Sequence, residues 1–255
     1  MKKNLLLVVF VLSLTQIFAQ STSKSSGSKE DRNFRVPLIG EKAPEFTAET
    51  TNGTLNFPSD FGKKWKILFS HPQDFTPVCS SEIMELAHLQ GKFDELGVKI
   101  AVISTDPVET HKQWKKSMEE LNINDRGTVK ISFPLIGDDD IVIAKKYGMI
   151  HPESNTTRAV RGVFVIDPDN VIQAIYFYPS NVGRNTDELI RTVTALKTSA
   201  EQSTQASHVM TPVNWTPGKD LLVSIPPKAQ SSKSNADVPA GSYSPVWYMW
   251  YKKAQ

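Results

Sequence analysis

Short apolar segments alternate with amphipathic segments along most of this 255-residue chain, and the alternation limits the folds that it can adopt. Between residues 66 and 198 the patterns predict strand, helix, strand, helix, strand, helix, strand, strand and helix. Helices between successive strands are typical of a sheet that is covered on both faces. Because the turn sequence Asp167–Asn170 joins the last two strands, we expect an antiparallel hairpin there. The expected elements are strands 66–70, 98–104, 131–136, 162–166 and 171–178, and helices 80–96, 107–121 with Asp106 as its cap, 141–147 and 185–198.

The one cysteine of the chain, Cys79, comes shortly after the first predicted strand. A loop containing proline separates the strand from the next helix, so the thiol should lie in the first turn of that helix. A helix N-terminus carries partial positive charge and unpaired N–H groups, which favour a thiolate over a thiol. A lone cysteine is more often a small buried hydrophobe. Here the position beyond the carboxyl end of a strand, where α/β sheets place their sites, indicates a reactive thiol.

Composition excludes several classes of function. The net charge is +2 with no run of five like charges, which argues against a nucleic-acid-binding surface. A single cysteine excludes an internal disulfide and zinc sites that need two cysteines. The five histidines are scattered without ligand spacing. We therefore predict neither a metal nor a cofactor.

Residues 1–19 have the pattern of a signal peptide: a basic start, a short apolar run and a small residue, Ala19, before the expected cleavage site. The apolar run is shorter than the roughly 20 residues that span a bilayer. The pattern predicts export, to a periplasm or to the outside of the cell, and no stable membrane insertion. An uncleaved membrane anchor is the alternative. Residues 20–36, rich in Ser, Lys and Gly, read as a flexible tether.

The chain changes character after the α/β domain, which we place at residues 37–200. Residues 208–255 begin with turn-rich sequence, contain a short predicted strand at 221–225 and end in the aromatic run Tyr243–Tyr251. So many rings are hard to bury within so small a segment. We consider two interpretations: an arm that packs on another copy of the chain, and a local cap on its own domain.

The loop and helix start Pro72–Cys79 fit the Pro-x-x-x-Thr-x-x-Cys motif of peroxiredoxins. With its further motifs the chain resembles the one-Cys, peroxiredoxin-6 type of that family from about Gly40 to near the C-terminus. These motifs are Phe69–Pro72, Arg161–Val165, Tyr178–Pro179 with Gly183–Asn185, and Thr211–Trp215.

The resemblance implies a thioredoxin-like fold with a small C-terminal dimerisation domain, and reduction of hydrogen peroxide and organic hydroperoxides. Cys79 would be the peroxidatic nucleophile, oxidised to a sulfenic acid. Thr76 would hold the peroxide, Arg161 would stabilise the thiolate and the leaving oxygen, and Pro72 would shield the thiolate. His71 would either hydrogen bond the cysteine or serve as a structural residue. An external thiol or dithiol would reduce the sulfenic acid, in a homodimer or a larger oligomer.

Arg161 has two rivals, Arg158 and Arg184. We favour Arg161 because it opens an apolar strand, and we interpret Arg158 as a surface salt-bridge partner. Some relatives carry a phospholipase-type Ser/His/Asp set, but the corresponding positions here are Lys64, Pro58 and Asp169. We therefore expect no lipase activity.

Two functions of other classes are alternatives to the peroxidase. The aromatic C-terminus suggests a redox-regulated oligomeric chaperone or peroxide sensor. Dithiol exchange of the thioredoxin type is nearly excluded, because Thr76 occupies the position of the first cysteine that it needs.

Overall fold

The computed structural model describes residues 35–224 and 241–254, so the predicted signal peptide and most of the predicted tether lie outside the described residues. The described residues belong to one compact unit. Its order of elements follows the predicted alternation, with an additional hairpin at the start. The elements are β1 (Phe46–Thr50), β2 (Gly53–Phe57), β3 (Trp65–Ser70), α1 (Pro77–Glu95), β4 (Val98–Ser104), α2 (Val108–Glu119), β5 (Leu135–Gly137), α3 (Val142–Lys146), β6 (Arg161–Ile166), β7 (Ile172–Tyr178), α4 (Thr186–Gln202), β8 (Val209–Met210), β9 (Leu221–Val223), β10 (Ser242–Val246) and β11 (Met249–Lys252).

The main sheet has seven strands in the order β2-β1-β5-β4-β3-β6-β7. The pairs β3–β4 and β4–β5 are parallel, and the other pairs are antiparallel. The predicted mixed sheet and the closing β6–β7 hairpin are therefore confirmed. Strand β3 lies inside the sheet between β4 and β6, and every residue in it is buried. Burial on both faces explains its apolar run Ile67–Phe69.

The alternation of side chains along the strands builds a core on each face of the sheet. Ile67 and Phe69 of β3 pack with residues of α1, α2 and α4, whereas Leu68 packs with residues of α3. Among the described residues no helix is both long enough and apolar enough to cross a bilayer.

Three details differ from the sequence-based expectation. Strand β5 begins at Leu135 rather than at residue 131, although Ile131 and Phe133 are buried in the core. Helix α1 begins at Pro77, three residues before the predicted start, because Thr76 is extended and takes the N-cap position. Asp106 does not cap α2, because the N-cap residue there is Pro107. The Asp106 carboxylate instead accepts a hydrogen bond from the backbone N–H of Asp74, in the loop before α1.

The C-terminal segment forms a second sheet of four strands, in the order β10-β11-β9-β8. Trp215 and Trp250 pack against Ala195 of α4 together with residues of β8 and β9, so part of the aromatic segment caps its own domain. Trp247 and Tyr248, in the turn between β10 and β11, are 71% and 66% exposed. The aromatic run is thus divided between a local cap and an exposed turn.

Gly148 ends α3 with a φ of +62°, and an added Cβ would lie 2.7 Å from the backbone N and Cα of Val36. We expect Gly148→Ala to lower the free energy of unfolding by at least about 1–3 kcal/mol, because both the left-handed backbone and the contact oppose a side chain. Urea unfolding followed by circular dichroism measures the change. Gly91→Ala is the control, since Gly91 lies in α1 with open space around it, and it should gain about 0.5–1 kcal/mol. Equal effects of the two substitutions would contradict the argument.

Candidate active site

Cys79 lies at the third position of α1 and its side chain is only 1% exposed. A loop follows the end of strand β3 at Ser70, and Pro77 at the first helical position begins the helix that carries the thiol. The sulfur faces a pocket of about 390 Å³, which Pro72, Thr76 and Arg161 also line. The structure thus brings together four of the five predicted site residues at one pocket.

Arg161 is the first residue of β6 and is almost fully buried. Its Nη1 donates to the Cys79 sulfur at 3.3 Å and to Glu82 Oε2 at 2.7 Å. Its Nε and Nη2 both donate to the carbonyl oxygen of Ser180, which fixes the guanidinium plane. Arg161 therefore presents a fixed positive charge to the sulfur.

Arg184, the second rival, is also buried beside the site. Its Nε and Nη2 donate to the two carboxylate oxygens of Glu82, at 2.8 and 2.7 Å, and its Nη1 donates to the carbonyl oxygens of Ser70 and Gly162. The guanidinium carbon lies 3.4 Å from the centre of the Phe69 ring. Burial lowers the pKa of Arg184, and the hydrogen bonds to Glu82 oppose this change.

Glu82 joins the two arginines and was not predicted as a site residue. It lies one turn after Cys79 on α1, at a position that is 5% exposed although it carries a charge. A charged residue within the inward-facing positions of a helix was the available signal. Two guanidinium groups against one carboxylate leave a net positive charge beside the sulfur, which a thiolate at Cys79 would balance.

Removing the charge of Glu82 should destabilise the protein strongly. We expect Glu82→Gln to lower the free energy of unfolding by about 3–5 kcal/mol, because two buried guanidinium groups lose their only shared carboxylate partner. Urea unfolding measures this. The control is Glu85→Gln, which breaks an exposed pair with Arg126 on the same helix and should cost less than about 1 kcal/mol. A small effect at both positions would show that the Glu82 carboxylate does not stabilise the buried arginines.

The loop before α1 places Thr76 and Pro72 at the pocket. The Thr76 hydroxyl donates to the carbonyl oxygen of Gln73 at 3.0 Å, so its free lone pairs can only accept a hydrogen bond from a molecule in the pocket. The carbonyl oxygen of Thr76 accepts from the backbone N–H and the hydroxyl of Ser80. The Ser80 hydroxyl in turn accepts from the indole N–H of Trp114 in α2. These bonds fix the loop to the first turn of α1.

His71 is the fifth predicted site residue and does not line the pocket. The ring is fully buried, and neither nitrogen makes a hydrogen bond of normal geometry, so the hydrogen bond to Cys79, one of the two alternatives, is not formed. Its Nε2 lies 3.6 Å from Asp74 Oδ1 and its ring centre lies 5.0 Å from that of Trp114. Burial lowers the pKa of His71 well below 6.5, and the positive charges of its neighbours add to this effect. The geometry favours the structural alternative.

Asp74 and His111 link the loop before α1 to the strand β5. His111 Nδ1 lies 2.7 Å from Asp74 Oδ2, and its Nε2 lies 2.9 Å from the carbonyl oxygen of Ile136. The imidazole thus links the Asp74 carboxylate to the backbone of β5. Burial raises the pKa of Asp74, and its hydrogen bond to His111 opposes this change.

His71, Asp74 and His111 are the described residues that come nearest to a metal-ligand cluster, with potential ligand atoms within 4.8 Å of one another. Two ligands of a tetrahedral zinc ion would lie about 3.3 Å apart. The 2.7 Å contact between Asp74 and His111 is shorter and is a hydrogen bond. Asp74 and His111 thus form a hydrogen-bonded pair, and the His71 ring packs beside it.

The buried, neutral His71 should make stability depend on pH. Its pKa is lower in the folded than in the unfolded chain, so its contribution is complete above pH 6.5 and is lost as the pH falls. Between pH 7.5 and 5.5 wild type should lose roughly 1 kcal/mol more of unfolding free energy than His71→Asn. Urea unfolding at both pH values measures this difference. His208→Asn, at an exposed histidine, should match wild type, and an unchanged pH dependence in His71→Asn would contradict the assignment.

Arg158 and the three positions that correspond to a lipase-type set have clear places in the structure. Arg158 pairs with Asp106, with Nη1 2.6 Å from Oδ1, which agrees with the predicted salt bridge, but it also lines the pocket over Cys79. Asp169 pairs with Lys63 at the surface, and this interaction lowers its pKa. Lys64 is exposed and Pro58 is buried. Lys64 and Pro58 therefore supply neither the serine hydroxyl nor the imidazole of a Ser/His/Asp set.

Comparison with known proteins places these features in context. Residues 39–175 match the model of the AhpC/TSA family. A peroxiredoxin of Methanosarcina mazei is 42% identical over 86% of this chain and 98% of its own length. A solved structure of a yeast mitochondrial 1-Cys peroxiredoxin superposes with a TM-score of 0.72 at 35% identity, covering 86% of this chain and all of that one. A structure of a mutant peroxiredoxin 6 of Arenicola marina has the same TM-score at 31% identity, covering 86% of this chain and 99% of that one.

Proposed function

Because the chain belongs to the AhpC/TSA family and is a peroxiredoxin, a thiol peroxidase with the thioredoxin-like fold of that family, we propose that Cys79 is its peroxidatic nucleophile and that Arg161, Thr76 and Pro72 complete the site. The observation that carries this assignment is the 3.3 Å hydrogen bond from Arg161 to the sulfur, at the floor of the pocket. The comparisons do not favour a chaperone or a sensor as the main function.

The proposed reaction begins when the Cys79 thiolate attacks the terminal oxygen of a peroxide. The S–O bond forms as the O–O bond breaks, giving a sulfenic acid and an alkoxide or hydroxide that takes up a proton. Arg161 donates to the sulfur and to the oxygen on which negative charge develops. The Thr76 hydroxyl, whose proton is committed to Gln73, accepts a hydrogen bond from the peroxide O–H. Pro72 occupies the side of the pocket and limits the access of water.

Reduction of the sulfenic acid needs an external thiol, since Cys79 is the only cysteine. One thiol would form a mixed disulfide with release of water, and a second would release Cys79. The solved yeast protein is described as resolved through glutathione and thioredoxin systems. For this chain we propose a small thiol or a dithiol protein in the same role.

We further propose that the protein is a homodimer and that it is exported. The exposed turn with Trp247 and Tyr248 supports a homodimer in which the C-terminal segment contacts another copy. The basic and apolar residues 1–19 support export, to a periplasm or out of the cell.

The test is the rate at which reduced protein consumes hydrogen peroxide, with mass spectrometry of Cys79 afterwards. Wild type should react rapidly and gain one oxygen at Cys79. Cys79→Ser should abolish consumption, and Arg161→Gln should slow it by about 10²-fold or more, because the developing charge loses its fixed donor. Arg161→Lys, which keeps the charge, should be slowed less. Consumption by Cys79→Ser at the wild-type rate would overturn the assignment.

A further inference from the structure

The pocket over Cys79 is larger than a peroxide requires. Its volume is about 390 Å³, whereas a water molecule takes up about 30 Å³ in the liquid, and hydrogen peroxide has only two oxygens. Ser154, Asn155 and Arg158, from the segment before β6, also line the pocket, and we call them its rim. The remaining space can hold a molecule that carries other groups besides the reacting atom.

Arg158 is the cation at this rim with free hydrogen-bonding capacity. The buried Arg161 directs four of its five N–H groups to Cys79, Glu82 and Ser180. Among the described residues, the Arg158 side chain donates only to Asp106, through Nη1, and it remains 32% exposed. Of its five N–H groups, those on Nε and Nη2 are directed to no described partner. A carboxylate entering the pocket can use them.

The position of Arg158 is fixed rather than incidental. The Asn155 side chain accepts from the Arg158 backbone N–H, which holds the rim loop. Asp106 accepts from Arg158 on one oxygen and from the backbone N–H of Asp74 on the other, at 2.8 Å. The guanidinium is therefore tied to the same loop that carries Pro72 and Thr76.

The charge balance of the site changes during the reaction. In the reduced form a thiolate offsets the net positive charge that Arg161 and Arg184 leave after pairing with Glu82. A sulfenic acid is neutral, so oxidation leaves that positive charge uncompensated. Arg158 and Asp106 offset each other's charge, so the extra attraction for an anion comes from the buried pair Arg161 and Arg184. It arises after oxidation, when the reductant enters, and not when the peroxide enters.

We infer that Arg158 makes the pocket selective for a small thiol that carries a carboxylate, and that this thiol reduces the Cys79 sulfenic acid. The inference rests on the proposed function. The thiol sulfur attacks Cys79 Sγ, an S–S bond forms, the Sγ–O bond breaks, and the hydroxide leaves as water with the proton of the thiol. A second molecule of the same thiol attacks the mixed disulfide, which releases the oxidised thiol and the Cys79 thiolate.

The experiment uses three thiols of similar size and different charge: mercaptoacetate, 2-mercaptoethanol and cysteamine. Protein oxidised with one equivalent of hydrogen peroxide is mixed with each thiol, and the rate constant for loss of the sulfenic acid is measured. Intrinsic thiol reactivity cancels when the ratio of the mercaptoacetate to the mercaptoethanol rate constant is compared between variants. In Arg158→Gln this ratio should fall about tenfold or more, and cysteamine should gain relative to mercaptoethanol.

Two further variants separate charge from damage to the pocket. Arg158→Lys keeps the charge and should retain most of the wild-type ratio. Arg126→Gln removes an arginine from the surface, away from the pocket, and should leave the ratio unchanged. Equal ratios in wild type and Arg158→Gln, or equal losses in Arg158→Gln and Arg158→Lys, would overturn the inference. Failure of wild type to form a sulfenic acid would instead overturn the proposed function.

Discussion

The site depends on one carboxylate held between two buried guanidinium groups. Glu82 in α1 accepts from Arg161 of β6 and from Arg184, which precedes α4, so a single side chain joins three parts of the fold. Buried ion pairs are costly unless their remaining donors are satisfied. Here the backbone oxygens of Ser70, Gly162 and Ser180 take up those donors. The excess positive charge is thereby fixed beside Cys79, where it would stabilise the proposed anionic nucleophile.

A second network positions the loop from the opposite side. Asp74 hydrogen bonds to Asp106 through its backbone N–H and to His111 through its side chain, and His111 contacts the carbonyl oxygen of Ile136 in β5. The loop is thus tied to α2 and to a strand two places away in the sheet. Thr76 and Pro72 owe their places to bonds made by residues that never touch the pocket, such as His111.

Much of this arrangement could be predicted from sequence because it is local. The strand, loop and helix around Cys79 follow from apolar runs and proline, and the β6–β7 hairpin follows from its turn residues. The β1–β2 hairpin was missed, since these two strands have few apolar residues and depend on pairing with each other and, for β1, with β5. The Glu82–Arg184 pair joins residues 102 positions apart, a distance at which a single sequence carries no signal.

The burial of the Cys79 sulfur also sorts the molecules that can react with it by size. A disulfide requires the two Cα atoms to approach within about 4.4–6.8 Å. At 1% exposure on the floor of the pocket, Cys79 allows no folded protein backbone to come so close. A small thiol can enter the pocket as it stands, whereas a protein thiol would reach this separation only if the beginning of α1 moved away from Arg161. In the proposed reaction, the burial of Cys79 would therefore act as a kinetic filter between the two kinds of electron donor.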